Sequence, residues 1–381
     1  METHPPRLVV KCGTRLLTRQ GALHAPFIAT VAAQIAAVRR SGWQVVLVSS
    51  GAVASGRGIL ALPPDVGRTL VGRQMHAAIG QAPLMATYAQ AFAAEGVVIA
   101  QTLLSRADLD NPVGCRNTRE ALEGLLAYGV VPIANENDVV ATDELKFGDN
   151  DPLSALIANL VRADRLILLT TTDGIFTSDP RNDPAAWLVA EASAVPRDVL
   201  ERYAGDPGSD GRGGMRSKIR AAQEAAASGI EVVVASGHAP DVLPRLLAGE
   251  RLGTHFAPTG PARHVREFWL GSFHAQRGEL HIDAGARKAV VEDGGSLLPA
   301  GVRDAQGDFK HGDVVGLVGP GGDTFARGLA SYARDEILRI RGRRSQEIAG
   351  ILGYAAGSVV VHRNNLVLLV PSGHMPARAA S

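Results

Sequence analysis

Seven carboxylates and carboxamides fall in two short stretches of the chain, Asn135, Glu136, Asn137 and Asp138 in the first and Asp149, Asn150 and Asp151 in the second. Both stretches adjoin segments too apolar to be surface tails, and that density of polar groups beside a core calls for a ligand. Val130–Ala134 reads as a buried strand, so Asn135 to Asp138 would leave its carboxyl end, where open α/β sheets hold their ligands. Asx-rich turns that cap helices would account for either stretch alone; the pair points to a site. Lys11, at the end of the first apolar run, adds a cation, and Gly13 beside it lets the backbone come close to a phosphate. The run Gly211-Arg-Gly-Gly-Met-Arg-Ser-Lys218 precedes a helical pattern, which places glycine amides, a helix N-terminus and a second ammonium group at one point. That is an anion site, although its glycine spacing is not that of a Walker A loop. Phosphoryl transfer asks for positioning and for positive charge where negative charge gathers, a demand that Lys11 fits, although a lysine at a strand end can equally be a solvated terminus.

The order and spacing of these motifs resemble the glutamate 5-kinase family. The segments that carry the resemblance are Val9-Val-Lys-Cys-Gly-Thr14, Val48-Ser-Ser-Gly-Ala-Val-Ala-Ser-Gly-Arg57, Asn135-Glu-Asn-Asp138, Gly148-Asp-Asn-Asp151, Leu168-Leu-Thr-Thr-Thr-Asp-Gly174, Asp179-Pro-Arg181 and Gly213-Gly-Met-Arg-Ser-Lys218, spread along nearly the full chain. The resemblance implies ATP-dependent phosphorylation of the side-chain carboxylate of L-glutamate to L-glutamyl 5-phosphate, the first step of proline biosynthesis, with Mg2+ carried by the nucleotide. It implies that Lys11 and Lys218 stabilise phosphate charge and that Asp151 holds both ammonium groups. It places Ser50, Gly51, Asn135, Asn137, Asp138, Asp149 and Asn150 around glutamate, with Asn135 and Asn137 orienting the others. Lys11, Gly13, Thr170, Thr171, Arg212, Gly213, Gly214, Met215, Arg216, Ser217 and Lys218 fall to the nucleotide, and no residue is assigned to a metal. The chain departs from the family pattern at Thr171, where relatives carry aspartate, and at Arg212 and Arg216, where they carry small hydroxyl residues. The first change forfeits a carboxylate contact and the other two add positive charge beside the nucleotide. No general base is necessary, because a glutamate side chain with a pKa of about 4.3 is already ionised at neutral pH. Shielding becomes the central problem, and paired lysines with nucleotide-bound Mg2+ would supply it.

These groups need a scaffold. Short runs rich in valine, isoleucine and leucine at Leu8–Val10, Val45–Val48, Val97–Ala100, Val130–Ala134, Leu166–Leu169 and Val232–Ala235 suit strands covered on both faces. Between them lie helical patterns, such as Ile28, Val31, Ile35 and Val38 after Pro26 and the alanine-rich Ala221–Ala227. The alternation predicts an α/β domain, a mostly parallel sheet sandwiched by helices. After about Gly253 the texture changes to a Pro- and Gly-bearing junction. Beyond it come short strand-like pieces at Phe268–Gly271, Glu279–Ile282, Val314–Val318 and Ser358–His362, which predict a small β-rich domain. Its motifs, Asp283–Ala289, Gly295–Gly301, Phe309–Val314 and Ala326–Leu329, look like a PUA domain. The expected division is an amino-acid kinase domain over 1–258, a connection over 259–275 and a PUA-like domain over 276–365.

At 381 residues the chain accommodates two domains, and 39 Lys and Arg against 38 Asp and Glu give no global field for nucleic acid or an anionic membrane. Nine Phe, three Trp and five Tyr supply no basic-aromatic interleaving, which argues against RNA as a partner. Arg341-Gly-Arg-Arg344 is a local basic patch that reads as a solvated face. Cys12 and Cys115 lack zinc-like spacing, Met1 to Arg7 is no secretory signal, and no apolar run reaches the length of a membrane span. A cytoplasmic enzyme with structural thiols is expected. The resemblance further implies a homo-oligomer, proline as feedback inhibitor and transient contact with the glutamyl phosphate reductase. Competing readings are a kinase of the same fold acting on acetylglutamate, aspartate, carbamate or UMP, and an RNA-binding or RNA-modification factor.

Overall fold

The computed structural model describes residues 5–110, 112–140, 150–192, 195–203, 214–260, 276–355 and 357–369. The chain divides into two compact units, Met1–Arg263 and His264–Ser381. In chain order the first runs β1 (Arg7–Cys12), α1 (Thr14–Leu17), the short hairpin β2 (Thr18–Arg19) and β3 (Ala22–Leu23), α2 (Ala25–Arg40), β4 (Gln44–Val48), α3 (Ala52–Ile59), α4 (Pro64–Gly67), α5 (Leu70–Ala94), β5 (Ile99–Leu104), α6 (Arg106–Asp110), α7 (Pro112–Ala127), β6 (Val131–Glu136), α8 (Asn150–Leu160), β7 (Arg165–Thr170), α9 (Arg197–Tyr203), α10 (Met215–Ala226), β8 (Glu231–Ser236), α11 (Val242–Leu247) and β9 (Thr254–Phe256). The sheet has the order β5-β6-β4-β1-β7-β8-β9 and is parallel except for β9. From β1 the chain builds first to one side and later, at β7, to the other. The carboxyl ends around β1 are therefore a topological switch point, where α/β sheets open a crevice for ligands.

Strand periodicity decides which helix layer each side chain meets. Leu8, Val10 and Cys12 of β1 join Val45, Leu47, Val131, Ile133, Ile167 and Leu169 in one buried cluster with α2, α5 and α11. The alternate residues Val9 and Lys11 consequently point to the opposite face, where α8 packs on β1 and α10 packs on α8. Helix α2 forms as its sequence predicts, with Pro26 in its first turn and Ile28, Val31, Ile35 and Val38 all buried. Helix α5 crosses α3 at backbone contact. A Cβ on Gly80 would lie 1.9 Å from the Ala52 carbonyl oxygen, and one on Gly56 1.8 Å from that of His76, so only glycine fits at either place.

The strands run beyond the apolar stretches that announce them, and at β5 and β6 the difference bears on the site. Strand β5 begins at Ile99, with Val98 exposed before it, and continues to Leu104 because it pairs residue by residue with β6, from Ile99 opposite Val131 to Leu104 opposite Glu136. The same pairing carries β6 past Ala134, so Asn135 and Glu136 end the strand rather than follow it.

The second unit holds β10 (Gly278–Ile282), α12 (Ala284–Val291), β11 (Val302–Gly307), β12 (Val314–Val318), β13 (Thr324–Leu329), α13 (Arg334–Ile340), α14 (Ile348–Leu352) and β14 (Leu366–Leu368). Its sheet has the order β11-β10-β12-β13-β14, and a core including Leu280, Val315, Leu317, Phe309 and Tyr332 packs against it. The expected pieces Glu279–Ile282 and Val314–Val318 are strands. Ser358–His362 is not one; only Val361 bridges, to Leu297. Phe268–Gly271 lies outside the described residues. Strands β11 and β13 escape sequence reading because charged and glycine residues (Arg303, Asp304, Arg327, Gly328) interrupt their apolar alternation. In the basic patch, Arg341 pairs with Asp304 at 3.0 Å. Among the described residues no helix is long and apolar enough to cross a membrane.

Candidate active site

Lys11 leaves the carboxyl end of the central strand, between Val48 of β4 and Leu168 of β7 in register. Its ammonium lies 2.7 Å from Asp151 Oδ1, and the Lys218 ammonium, from the first turns of α10, lies 2.9 Å from Asp151 Oδ2. Asp151 is fully buried and the two lysines are 1% and 6% exposed. One carboxylate thus faces two ammonium groups in a low-dielectric setting, and two lysines converging on one point suit the charge of a phosphate group. Asp151 is therefore not a solvated helix cap, since it is fully buried and each of its oxygens faces a lysine.

The glycines keep the approach open. Gly13 caps α1 in an extended conformation, and a Cβ there would stand in ordinary contact with Lys11 Nζ at 3.7 Å, so the glycine leaves that side of the ammonium uncovered. Gly214 caps α10, which has no acidic residue in its first turn and no side-chain cap. The positive end of its dipole therefore favours an anion.

A second set of groups emerges on the α5 side of the sheet. Asn150 donates from Nδ2 to Asn135 Oδ1 at 2.7 Å and to the Ser49 carbonyl oxygen. Asn135 Oδ1 also accepts from the Glu136 backbone N–H at 2.9 Å, and Asn135 Nδ2 donates to Gln81 Oε1 of α5 at 2.9 Å. The Ser49 hydroxyl lies 3.0 Å from the hydroxyl of the fully buried Tyr88. Neighbouring residues at the start of α8 thus serve two functions: Asn150 joins the amide chain, while Asp151 holds the lysines. One rigid helix sets the spacing between an amide subsite and a cationic one.

Of the other residues expected at the site, Ser50 is buried just past β4, and Gly51 opens α3 at φ 105°, a left-handed conformation suited to glycine. Asn137 and Asp138 are half-buried beyond β6, with the Asn137 N–H donating to Leu104. Thr170 ends β7, and Thr171, Arg216 and Gly214 are exposed, with Met215 and Ser217 half-buried beside them. Asp149, Arg212 and Gly213 lie outside the described residues. Sequence reasoning missed Gln81 and Tyr88, isolated residues in a helix without a motif, and quoted Ser49 without giving it a role. Cys12, next to Lys11 but on the opposite face, is fully buried, and burial pushes its thiol up to about 12. Among the described residues no group of three or more His, Cys, Asp or Glu side chains is gathered in a way that could hold a metal ion.

Residues 6–236 match the amino acid kinase family, and residues 278–352 match the PUA domain. The chain is 46% identical over 365 residues to a glutamate 5-kinase of Citrifermentans bemidjiense, an alignment covering 95% of this chain and 97% of that one. It is 48% identical over 365 residues to a glutamate 5-kinase of Burkholderia multivorans, covering 95% and 98%. With that of Chromohalobacter salexigens it shares 47% identity over 366 residues, covering 95% and 96%. With an amino acid kinase fold, a PUA domain after it and relatives matched along nearly their whole length, the chain belongs to the glutamate 5-kinase family.

Proposed function

We propose that this chain transfers the γ-phosphoryl group of ATP to the side-chain carboxylate of L-glutamate, giving L-glutamyl 5-phosphate and ADP. The observation that carries the reading is the buried Lys11–Asp151–Lys218 triad one residue away from an amide cluster at Asn150. The glutamate carboxylate oxygen forms the new bond to phosphorus as the bond to the ADP oxygen breaks; no proton has to be removed from the nucleophile. Lys11 and Lys218 stabilise the charge on the transferring oxygens, and Asp151 fixes their ammonium groups before substrate arrives, so no reorganisation is needed at the moment of reaction. The start of α10, with Gly214 to Ser217, receives the nucleotide, a role shared with Gly13, Thr170, Thr171, Arg212 and Gly213. Ser50, Gly51, Asn135, Asn137, Asp138, Asp149 and Asn150 surround glutamate. Mg2+ accompanies the nucleotide and neutralises phosphate charge when bound; the donor set around Asp151 suits a cation that arrives on ATP better than one the protein holds.

The same reading makes the protein a cytoplasmic enzyme of proline biosynthesis, a homo-oligomer with proline as feedback inhibitor. Its acyl-phosphate product suits direct transfer to the glutamyl phosphate reductase. The kinase domain spans 1–258, the connection 259–275 and the PUA-like domain 276–365. ADP release measured with L-glutamate, N-acetyl-L-glutamate, aspartate and UMP tests the substrate. Turnover with L-glutamate alone is expected, and preference for any of the others overturns the assignment.

A further inference from the structure

The amide chain Gln81–Asn135–Asn150 has a defined polarity, because backbone groups of unambiguous character fix it at two points. The Glu136 N–H can only donate, so the Asn135 atom 2.9 Å from it must be the carbonyl oxygen. The Ser49 carbonyl can only accept, so the Asn150 atom bonded to it must be the amide nitrogen. Ser49 is itself held, its N–H donating to the Ala134 carbonyl at 2.8 Å and its hydroxyl meeting Tyr88. Both N–H groups of Asn150 are thereby engaged by Ser49 and Asn135, and Asn150 Oδ1 has no partner among the described residues while escaping full burial. Asn150 can present only an acceptor to a ligand. The end of the chain is Gln81 Oε1, which takes the remaining role by accepting from Asn135 Nδ2 at 2.9 Å. Gln81 Nε2 is buried without a hydrogen-bond partner among the described residues, so only the acceptor half of this amide is in use.

We infer that Gln81 is a positioning residue that locks the polarity of Asn135 and, through it, of Asn150, so that the site demands a hydrogen-bond donor from its substrate. Resting on the proposed glutamate 5-kinase reaction, the inference assigns that donor to the α-ammonium group and gives α5 a share in selecting amino acids over plain dicarboxylates. Without Gln81 Oε1, Asn135 Nδ2 is left buried and unsatisfied, a condition costly enough to turn the amide toward other partners. Asn150 then loses one of the two acceptors that hold it. Its oxygen no longer faces the ligand in a fixed direction.

The test compares wild type with Gln81→Met, similar in volume but without the acceptor, and Gln81→Glu, which restores it. The readouts are KM for L-glutamate, KM for ATP, kcat, and the inhibition constant of glutarate, the same diacid lacking the amine. In Gln81→Met the ratio of the glutarate inhibition constant to the glutamate KM is expected to fall by about tenfold, as the loss of one buried hydrogen bond implies, with KM for ATP and kcat within about threefold of wild type. Gln81→Glu is expected to return the ratio to within about threefold. If Gln81→Met fails to fold, Gln81→Asn, one methylene too short to reach Asn135, carries the same expectation. A ratio unchanged in the soluble variant, with glutamate and glutarate weakened equally, overturns the role of Gln81 and leaves the kinase reading standing. A wild-type protein that forms no ADP with L-glutamate overturns the kinase reading, and this inference with it.

Discussion

Replacing Asp151 by asparagine keeps the shape of the side chain and removes the charge that both lysines share. Each ammonium sits 2.7 to 2.9 Å from a carboxylate oxygen, a separation worth about 6 kcal/mol of Coulomb attraction at an effective dielectric of ~20. Desolvation offsets much of that gain, so the measured cost of breaking a buried pair, about 3–5 kcal/mol, is the better guide. Asparagine could still accept from one lysine, but its Nδ2 would face the other, donor against donor. For a unit of this size each kcal/mol lowers the melting temperature by about 2–4 °C, so Asp151→Asn is expected to melt on the order of 10 °C below wild type by scanning fluorimetry. Because ATP brings negative charge to the same ammonium groups, it should recover part of the loss, giving a larger nucleotide-induced rise in the variant than in wild type. ADP release should fall at least about 100-fold, as when a preorganised donor is removed from a charge-stabilising site. A variant that melts within about 2 °C of wild type and turns over within about threefold would refute the view that Asp151 organises the two lysines.

Removing either lysine tests the same triad from outside: Lys11→Ala and Lys218→Ala are each expected to lower kcat by about 100-fold or more in a folded protein, read as ADP formation alongside circular dichroism. Asp138→Ala is expected to raise KM for glutamate by about 10- to 100-fold through loss of a counter-charge to the substrate ammonium; a defect confined to KM for ATP would mean that the two subsites are exchanged. Gly80→Ala would set a methyl group 1.9 Å from the Ala52 carbonyl and 2.4 Å from the Gly56 nitrogen, so α3 and α5 must part, at a cost of about 1–3 kcal/mol measurable by urea denaturation. Burial holds the Cys12 thiol neutral up to about 12 against an ordinary value of 9.0. Above about pH 9 the unfolded chain alone loses this proton, so stability declines as pH rises, and Cys12→Ala should show a shallower alkaline decline than wild type.

The legible part of the site was the part encoded in types and spacing. Lys11, Asp151 and Lys218 stand beside apolar runs, but their convergence was legible only through the resemblance to the family, because nothing in the three separate contexts ties one charge to another. Within the seven-stranded sheet β1, β4, β7 and β8 were legible because they are covered on both faces and read as continuous apolar runs, whereas the three-residue β9 fell in what read as a Pro- and Gly-bearing junction. Strand β5 lies at the sheet edge and carries Gln101 and Thr102, so its reach to Leu104 depends on pairing with β6, a non-local fact. Gln81 and Tyr88 were invisible for a related reason. A neutral glutamine or tyrosine in a helix is common, and its role arises only from what the crossing of α3 and α5 brings within 3 Å of it.

That crossing depends on residues which looked like punctuation. Gly56 belongs to the glycine-rich turn after β4, and any strand-to-helix turn accepts small residues there. In the structure its missing Cβ is what admits the His76 carbonyl, and Gly80 admits that of Ala52 in return. These contacts set how deeply α5 sits against α3, and α5 carries Gln81 to Asn135 and Tyr88 to Ser49. Depth matters because both hydrogen bonds are near 3 Å, and a shift of one ångström would break them. The glycines therefore act on substrate selection through helix packing: closer helices place Gln81, Gln81 orients Asn135, and Asn135 turns the oxygen of Asn150 toward the ligand. If this chain of dependence holds, Gly80→Ala should weaken glutamate more than glutarate, as Gln81→Met does, whereas Lys11→Ala should leave their relative affinities unchanged.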